Sequence, residues 1–145
     1  MWLARGVCSM SPAEDAALLL RIVRRHLQAM RLNLDPLYPD EEWGFQAQQA
    51  LEKLLKARLV LRDQPAPRTH ELLDLALLLN VELPEVLQKL QVFAVEARYE
   101  EGPFALPASR LVLLDDLESR LKDLETTIEG SITPPNADSQ ELPPG

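Results

Sequence analysis

The sequence predicts an all-α protein, an up-and-down bundle of four to five helices. Leucine is frequent and β-branched residues are sparse, a composition that favours helices over strands. Apolar residues recur at spacings of three and four, and no segment has the convincing alternation that is typical of strands. The length of 145 residues fits one domain with a sizeable core.

The first helix is predicted to begin at Ser11, because Ser11, Pro12 and Glu14 form a capping-box start. Its apolar face contains Ala16, Leu19, Leu20, Val23, Leu27 and Met30. The remaining surface carries a basic run of Arg21, Arg24, Arg25, His26 and Arg31. Cations at this spacing project side by side and could follow phosphates, but a solvated face is the simpler explanation.

The second helix is predicted from about residue 40 to residue 61, between two proline-containing loops. Its buried stripe is expected to be Trp43, Ala47, Ala50, Leu51, Leu54 and Leu61. Its solvent-facing positions are expected to be Glu42, Gln46, Gln49, Lys53 and Lys56. Glu52 and Lys56 have the spacing of an ion pair within a helix.

Three further helices complete the prediction. The third is capped by Thr69 and ends near Asn80, and its uniformly apolar run 72–79 requires enclosure on several sides. The fourth begins at Pro84 and ends at Arg98 and Tyr99, with a buried face of Val86, Leu87, Leu90, Phe93, Ala94 and Ala97. The last spans about 108–128, and its seam packs on a neighbouring helix or a second subunit through Leu114, Leu117, Leu121, Leu124 and Ile128.

The bundle is expected to occupy residues 11–129, between a flexible extension (1–10) and a disordered acidic, proline-rich tail (130–145). Met10 directly precedes the first helix, so residues 1–9 are interpreted as an upstream extension; an N-terminal truncation that failed to fold would contradict this. Of the formal net charge of −8, −6 falls in residues 115–145, which hold 8 acidic and 2 basic residues. The nearly neutral body argues against nonspecific polyanion binding but leaves room for a local basic site.

The sequence indicates a cytoplasmic protein without a membrane span. Its lone cysteine, Cys8, excludes an internal disulfide, and no apolar run has the length of a signal sequence or a membrane helix. Glycine-rich phosphate loops, zinc clusters and nucleophile elbows are not evident. With only His26, His70 and Cys8 as nitrogen and sulfur ligands, we expect no metal and no cofactor.

Three segments, taken in order, resemble the HEPN family over about residues 11–128. Residues 45–57, FQAQQALEKLLKA, resemble the family's central helix; Thr69 to Leu72, THEL, resembles the start of its third helix; and Ala97, Arg98 and Tyr99 resemble the end of its fourth. The resemblance implies a helical bundle, commonly a homodimer in which two copies of Arg98 face a shared cleft. It also implies a minimal nucleotidyltransferase partner, often in toxin–antitoxin modules.

The resemblance further implies a link to RNA, because many HEPN proteins are metal-independent ribonucleases. Their signature is an arginine followed, after four to six residues, by a histidine. The arginine neutralises the scissile phosphate, and the histidine transfers the proton. Arg98 occupies the arginine position here, but the residues that follow it are YEEGPFA and include no histidine.

We therefore expect a protein that binds nucleotide or RNA and acts with a minimal nucleotidyltransferase in a toxin–antitoxin or defence module. The candidate binding residues are Lys53, Lys56, Arg98 and Tyr99, although an ion pair with Glu52 explains Lys56 equally well. Tyr99 is either an acceptor for an adenylyl group or an anchor of its loop against the bundle. Two alternatives remain: an active ribonuclease with Arg98 catalytic and another group replacing the histidine, and a non-catalytic dimerisation adaptor.

Overall fold

The computed structural model describes residues 10–132, and this part of the chain is helical without any strand. The helices are α1 (Pro12–Leu32), α2 (Asp40–Leu61), α3 (Leu72–Leu79), α4 (Glu85–Gln88), a 3₁₀ helix (Lys89–Phe93), α5 (Glu96–Tyr99) and α6 (Arg110–Ile132). The predicted all-α class is confirmed. Within the described range, no helix is both long enough and apolar enough to cross a membrane.

The predicted terminal segments fall mostly beyond the described part of the chain. Residues 1–9 of the expected extension and residues 133–145 of the expected tail lie outside the described residues. The helix α6 continues to Ile132, so residues 130–132 belong to that helix and not to the tail.

The start of α1 is the predicted capping box. The Ser11 hydroxyl oxygen accepts the backbone N–H of Glu14 at 3.1 Å, and the Glu14 carboxylate accepts the backbone N–H of Ser11 at 3.0 Å. Two of the N–H groups that a helix start leaves without partners are thereby satisfied. The buried face of α1 consists of Ala16, Leu20, Val23, Leu27 and Met30, as predicted except that Leu19 is only partly buried.

The second helix has the predicted bounds and lies at the centre of the bundle. It packs against α1, α3, the 3₁₀ helix and α6. Neighbours on so many sides bury residues all around α2, including Gln48 and Glu52, the only buried polar or charged residues in the described part of the chain. The prediction of a solvent-facing side is therefore wrong: Glu42 is exposed, but Gln46, Gln49, Lys53 and Lys56 are half-buried.

The predicted fourth helix is not continuous. Leu87, Leu90 and Phe93 are buried as expected, but they lie three residues apart, a spacing that a 3₁₀ helix places on one side. The chain accordingly tightens into the 3₁₀ helix, and Val95, with φ −131° and ψ −64°, separates it from α5. The remaining members of the expected buried face are only partly buried: Val86, Ala94 and Ala97.

The helix α3 is less enclosed than its composition suggested. Leu72, Leu75, Ala76 and Leu79 are buried against the bundle, but Leu73, Leu77 and Leu78 are exposed. The predicted cap is also wrong, because Thr69 accepts the N–H of Glu71. The N–H of Leu72 is instead satisfied by the Gln91 side chain at 2.8 Å. Asn80 ends the helix in the left-handed conformation, as expected for a C-terminal cap.

The last helix packs on α1, so its seam serves the core of the single chain. Leu114, Leu117, Leu121 and Ile128 are buried, and Leu124 is partly buried. At its first residue, the Arg110 guanidinium donates to the main-chain carbonyls of Asn33, Asp35 and Tyr38 and to the Asp40 carboxylate. Arg110 thereby holds the loop between α1 and α2 against the start of α6.

Candidate functional site

The candidate site lies along one side of α2, here called the site face and defined by Phe45, Gln48, Gln49, Glu52, Lys53 and Lys56. Each of these residues lies three or four positions from at least two of the others, which places them on one side of a helix. His26 of α1 flanks the site face on one side, and His70, just before α3, flanks it on the other. These two flanks explain why its polar residues are partly or fully buried.

Lys53 is a half-buried cation whose direct partners are neutral. Its ammonium group donates to Gln49 Oε1 at 2.7 Å and to His26 Nε2 at 3.2 Å. No carboxylate lies within ion-pair distance of Lys53 in the described part of the chain, and burial lowers the pKa of Lys53. A positive charge is therefore present here without a direct counter-ion.

His26 is held in one tautomer by its two neighbours. Its Nδ1 lies 2.7 Å from Gln46 Oε1, an acceptor, so Nδ1 carries the proton, and Nε2 accepts from Lys53. Burial is the main reason that the pKa of His26 is lowered; the hydrogen bond to Gln46 opposes the shift, and the charge of Lys53 adds to it. The ring is neutral at pH 7, and both its nitrogens are occupied.

Glu52 is the buried carboxylate of the site face. Burial acts to raise the pKa of Glu52, but the hydrogen bond and charge of Lys56, together with those of His70, lower it overall. Lys56 Nζ lies 2.9 Å from Glu52 Oε2, and His70 Nδ1 lies 3.1 Å from each carboxylate oxygen. Gln48 donates to Glu52 and to the main-chain carbonyl of His70, so it links the loop before α3 to α2. The predicted pair of Glu52 and Lys56 is present, but it is buried.

Arg98 lies over the start of the site face. Its guanidinium carbon is 4.2 Å from the centre of the Phe45 ring, a cation–π contact. The Arg98 side chain is exposed, and no carboxylate pairs with it among residues 10–132. At 1.5 Å per residue, Phe45 and Lys53 are about 12 Å apart along α2. The fold thus brings Arg98, Lys53 and Lys56 to one surface, although they come from two separate segments.

Tyr99 stands apart from this surface. Its side chain is 80% exposed, and it makes no hydrogen bond or ring contact within the described range. The interpretation of Tyr99 as an anchor of its loop against the bundle is therefore wrong for the single chain. Its phenol is free to meet another molecule.

The basic run of α1 is partly neutralised by α6. Arg24 pairs with Glu125, and Arg31 pairs with Glu118 at 2.6 Å, whereas Arg21 and Arg25 remain exposed. These ion pairs favour a structural role for much of that run. No group of three or more metal-ligating side chains converges in residues 10–132.

No pattern in the sequence indicated that His26 and His70 flank the site. His26 lies 27 positions before Lys53, and His70 lies 18 positions after Glu52. No local motif signals either contact, because each one depends on how two elements pack together. Gln48 was missed for the same reason, since its partner is a main-chain carbonyl in the loop before α3.

Comparison with known families gives one finding. A family model described as the HEPN domain matches residues 16–129, well over half of the chain. No curated protein and no solved structure matches the chain. The family match supports a role connected with nucleotides or RNA in general terms.

Proposed function

This chain belongs to the HEPN family, and we propose that it binds RNA or nucleotide phosphates across the site face of α2 and Arg98. One observation carries the proposal: Lys53 and Arg98 are cations on the same surface, and neither has a carboxylate partner in the described structure. Two phosphates of one RNA or nucleotide ligand, one beside each cation, would supply the missing negative charge.

The energetics favour an anionic ligand at this position. Taking a charged ammonium group partly out of water is unfavourable unless an opposite charge compensates it, and the neutral partners of Lys53 compensate it only in part. Charge-assisted hydrogen bonds to phosphate are roughly twice as strong as neutral ones. Arg98 has a planar guanidinium that suits bidentate phosphate contacts, and its cation–π contact with the Phe45 ring holds it against α2.

Binding of a labelled single-stranded RNA, measured by fluorescence anisotropy, tests this proposal. Arg98→Ala is expected to weaken binding about tenfold, as the loss of one charge-assisted contact of about 1.4 kcal/mol would do. Arg21→Ala is the matched control, because Arg21 is an exposed arginine on α1, away from the site face. Equal affinity of the wild type and Arg98→Ala, or equal losses in both variants, would refute the site.

We also propose that the protein is a homodimer, on the strength of the apolar surface of α3. Leu73, Leu77 and Leu78 are exposed together on one short helix, and such a patch is unfavourable in water unless a partner covers it. Sedimentation of the wild type should give the mass of two chains, and Leu77→Asp should give one. A monomeric wild type would remove the dimer from the proposal.

The partner proposed for the protein is a minimal nucleotidyltransferase, within a toxin–antitoxin or defence module in the cytoplasm. The 80% exposed side chain of Tyr99 supports a second role as an acceptor for an adenylyl group. Mixing the protein with a minimal nucleotidyltransferase and with ATP should add one adenylyl mass to the wild type. Tyr99→Phe keeps the ring but lacks the acceptor oxygen, so an equal mass gain in this variant would exclude Tyr99.

A further inference from the structure

We infer that the exposed side of α1 is a docking groove for an acidic amphipathic helix of a partner protein. This surface, here called the α1 groove, is defined by Leu18, Arg21, Ile22 and Arg25 of α1, Val60 of α2 and Pro65 of the loop after α2. It shares no residue with the site face, so the inference does not depend on the proposed RNA binding.

The floor of the α1 groove is apolar. Leu18 and Ile22 are four residues apart and therefore lie on the same side of α1. Leu18 is 38% exposed, and Ile22 is partly buried. Val60, at the end of α2, and Pro65, in the loop that follows, extend this floor beyond α1. Covering it with the apolar side of a partner removes apolar surface from water, which is favourable.

The dimensions of the α1 groove suit a helix better than a small molecule. The cavity has a volume of about 1180 Å³, above the roughly 300–1,000 Å³ that is typical of small-molecule pockets. Its lining on α1 runs from Pro12 to Gln28, a distance of about 24 Å at 1.5 Å per residue. A helix of about four turns has nearly this length, and an amphipathic helix in an apolar groove is a recurring mode of recognition.

The arginines of the α1 groove indicate the charge of the partner. Arg21 and Arg25 lie one turn apart and are exposed, and neither has an ion-pair partner in the described part of the chain. Arg24, which also lines the groove, is already paired with Glu125. Carboxylates four residues apart on a partner helix would match the spacing of Arg21 and Arg25.

Two carboxylates of the groove restrict where the acidic residues of the partner lie. Asp15 and Asp63 also line the cavity. At 3.6 residues per turn, Asp15 lies roughly 80° around α1 from Arg25 and roughly 120° from Arg21. Acidic residues of the partner would be repelled by these aspartates, so they are expected only along the edge that carries the two arginines.

The apolar floor favours a protein helix over RNA as the occupant. A sugar–phosphate backbone is polar and gains little from covering Leu18 and Ile22. An amphipathic helix buries its apolar side on these residues and at the same time places carboxylates beside Arg21 and Arg25.

Fluorescence anisotropy with a labelled synthetic peptide and the full chain tests the inference. The peptide is an amphipathic helix of about 16 residues with leucines on one side and glutamates along one edge, and a matched peptide has lysines in place of the glutamates. The wild type should bind the glutamate peptide about tenfold more tightly than the lysine peptide. Arg21→Glu combined with Arg25→Glu should reverse this preference, and circular dichroism should show an unchanged fold because both arginines are exposed.

A second pair of variants tests the apolar floor. Leu18→Gln should weaken binding of the glutamate peptide several-fold. Leu111→Gln is the matched control, because Leu111 is a 55% exposed leucine on α6 outside the groove, and it should bind the peptide like the wild type.

Equal affinity of the wild type for the two peptides, or no binding of either, would overturn the inference. Binding of the glutamate peptide only after removal of residues 1–9 would identify those residues as the occupant and overturn the assignment to a partner. The charge-reversed variant should bind single-stranded RNA like the wild type. Loss of RNA binding in this variant, with no peptide bound by the wild type, would assign the groove to RNA instead.

Discussion

Replacing Gly44 by alanine tests how the segment that carries Arg98 is held against α2. A Cβ atom at Gly44 would lie 2.5 to 2.7 Å from three atoms of the Phe93 ring, whereas ordinary contacts begin at 3.4 Å. Phe93 is fully buried at the end of the 3₁₀ helix. Since a rigid buried ring cannot rotate out of the way, it must move by roughly 1 Å, and the 3₁₀ helix must move with it.

The magnitude follows from two opposing effects. Overpacking of a buried site costs about 1–3 kcal/mol. Alanine in place of glycine within a helix stabilises the helix by up to about 1 kcal/mol. We expect Gly44→Ala to lose about 1–2 kcal/mol in the free energy of unfolding, which lowers Tm by roughly 3–10 °C. RNA binding should also weaken, because Arg98 lies just beyond the displaced segment.

Thermal unfolding followed by circular dichroism measures the stability effect, and fluorescence anisotropy measures RNA binding. Gly130→Ala is the matched control, because a Cβ there would meet nothing within 4 Å and should leave Tm unchanged or raise it. Phe93→Leu in the Gly44→Ala background should cost less than the sum of the two single changes, since the smaller side chain relieves the clash. A Tm of Gly44→Ala at or above that of the wild type would refute the reasoning.

Three further predictions concern charge. Lys53→Met should leave Tm unchanged or raise it, because it removes a half-buried cation. The same change should reduce the slope of log RNA affinity against log salt concentration by about 0.7, as expected for the loss of one phosphate contact. A lower Tm with an unchanged slope would contradict this prediction. Arg110→Ala should lower the free energy of unfolding, measured with urea, by about 2–4 kcal/mol, because it deletes the four hydrogen bonds of a side chain that is only 12% exposed. A loss below about 0.5 kcal/mol would contradict this prediction. As the pH falls from about 7 to 5, the urea midpoint should decrease, because the unfolded chain protonates His26 around its ordinary pKa of 6.5, whereas the folded chain, in which burial lowers that pKa, protonates it only at lower pH. His26→Gln should flatten this dependence, and equal slopes would contradict the assignment.

Local signals in the sequence were sufficient for the long helices. The capping box at Ser11 and the apolar spacing of α1 and α2 are properties of neighbouring residues, so they could be recognised without a structure. The resemblance in residues 45–57 identified the family that the HEPN match later showed. The same spacing argument also placed Lys53 and Lys56 together on one side of α2.

Features set by packing between elements were not predictable in this way. The break of the expected fourth helix depends on how the 3₁₀ helix packs against α2. Whether a polar residue of α2 is solvent-exposed or half-buried depends on which other helix or loop packs over it. The spacing of apolar residues along α2 carries no information about that neighbour. The contacts of Glu52 with His70 and of Lys53 with His26 join separate elements for the same reason.

Hydrogen–deuterium exchange with and without single-stranded RNA tests the location of the binding surface most directly. If RNA binds at the site face, protection should increase in peptides that cover residues 45–56 and 96–99, which contain the site face and Arg98. Peptides that cover Arg21 and Arg25 of α1 should exchange equally in both samples. Protection confined to α1, with no change in residues 45–56, would contradict the site face as the RNA-binding surface.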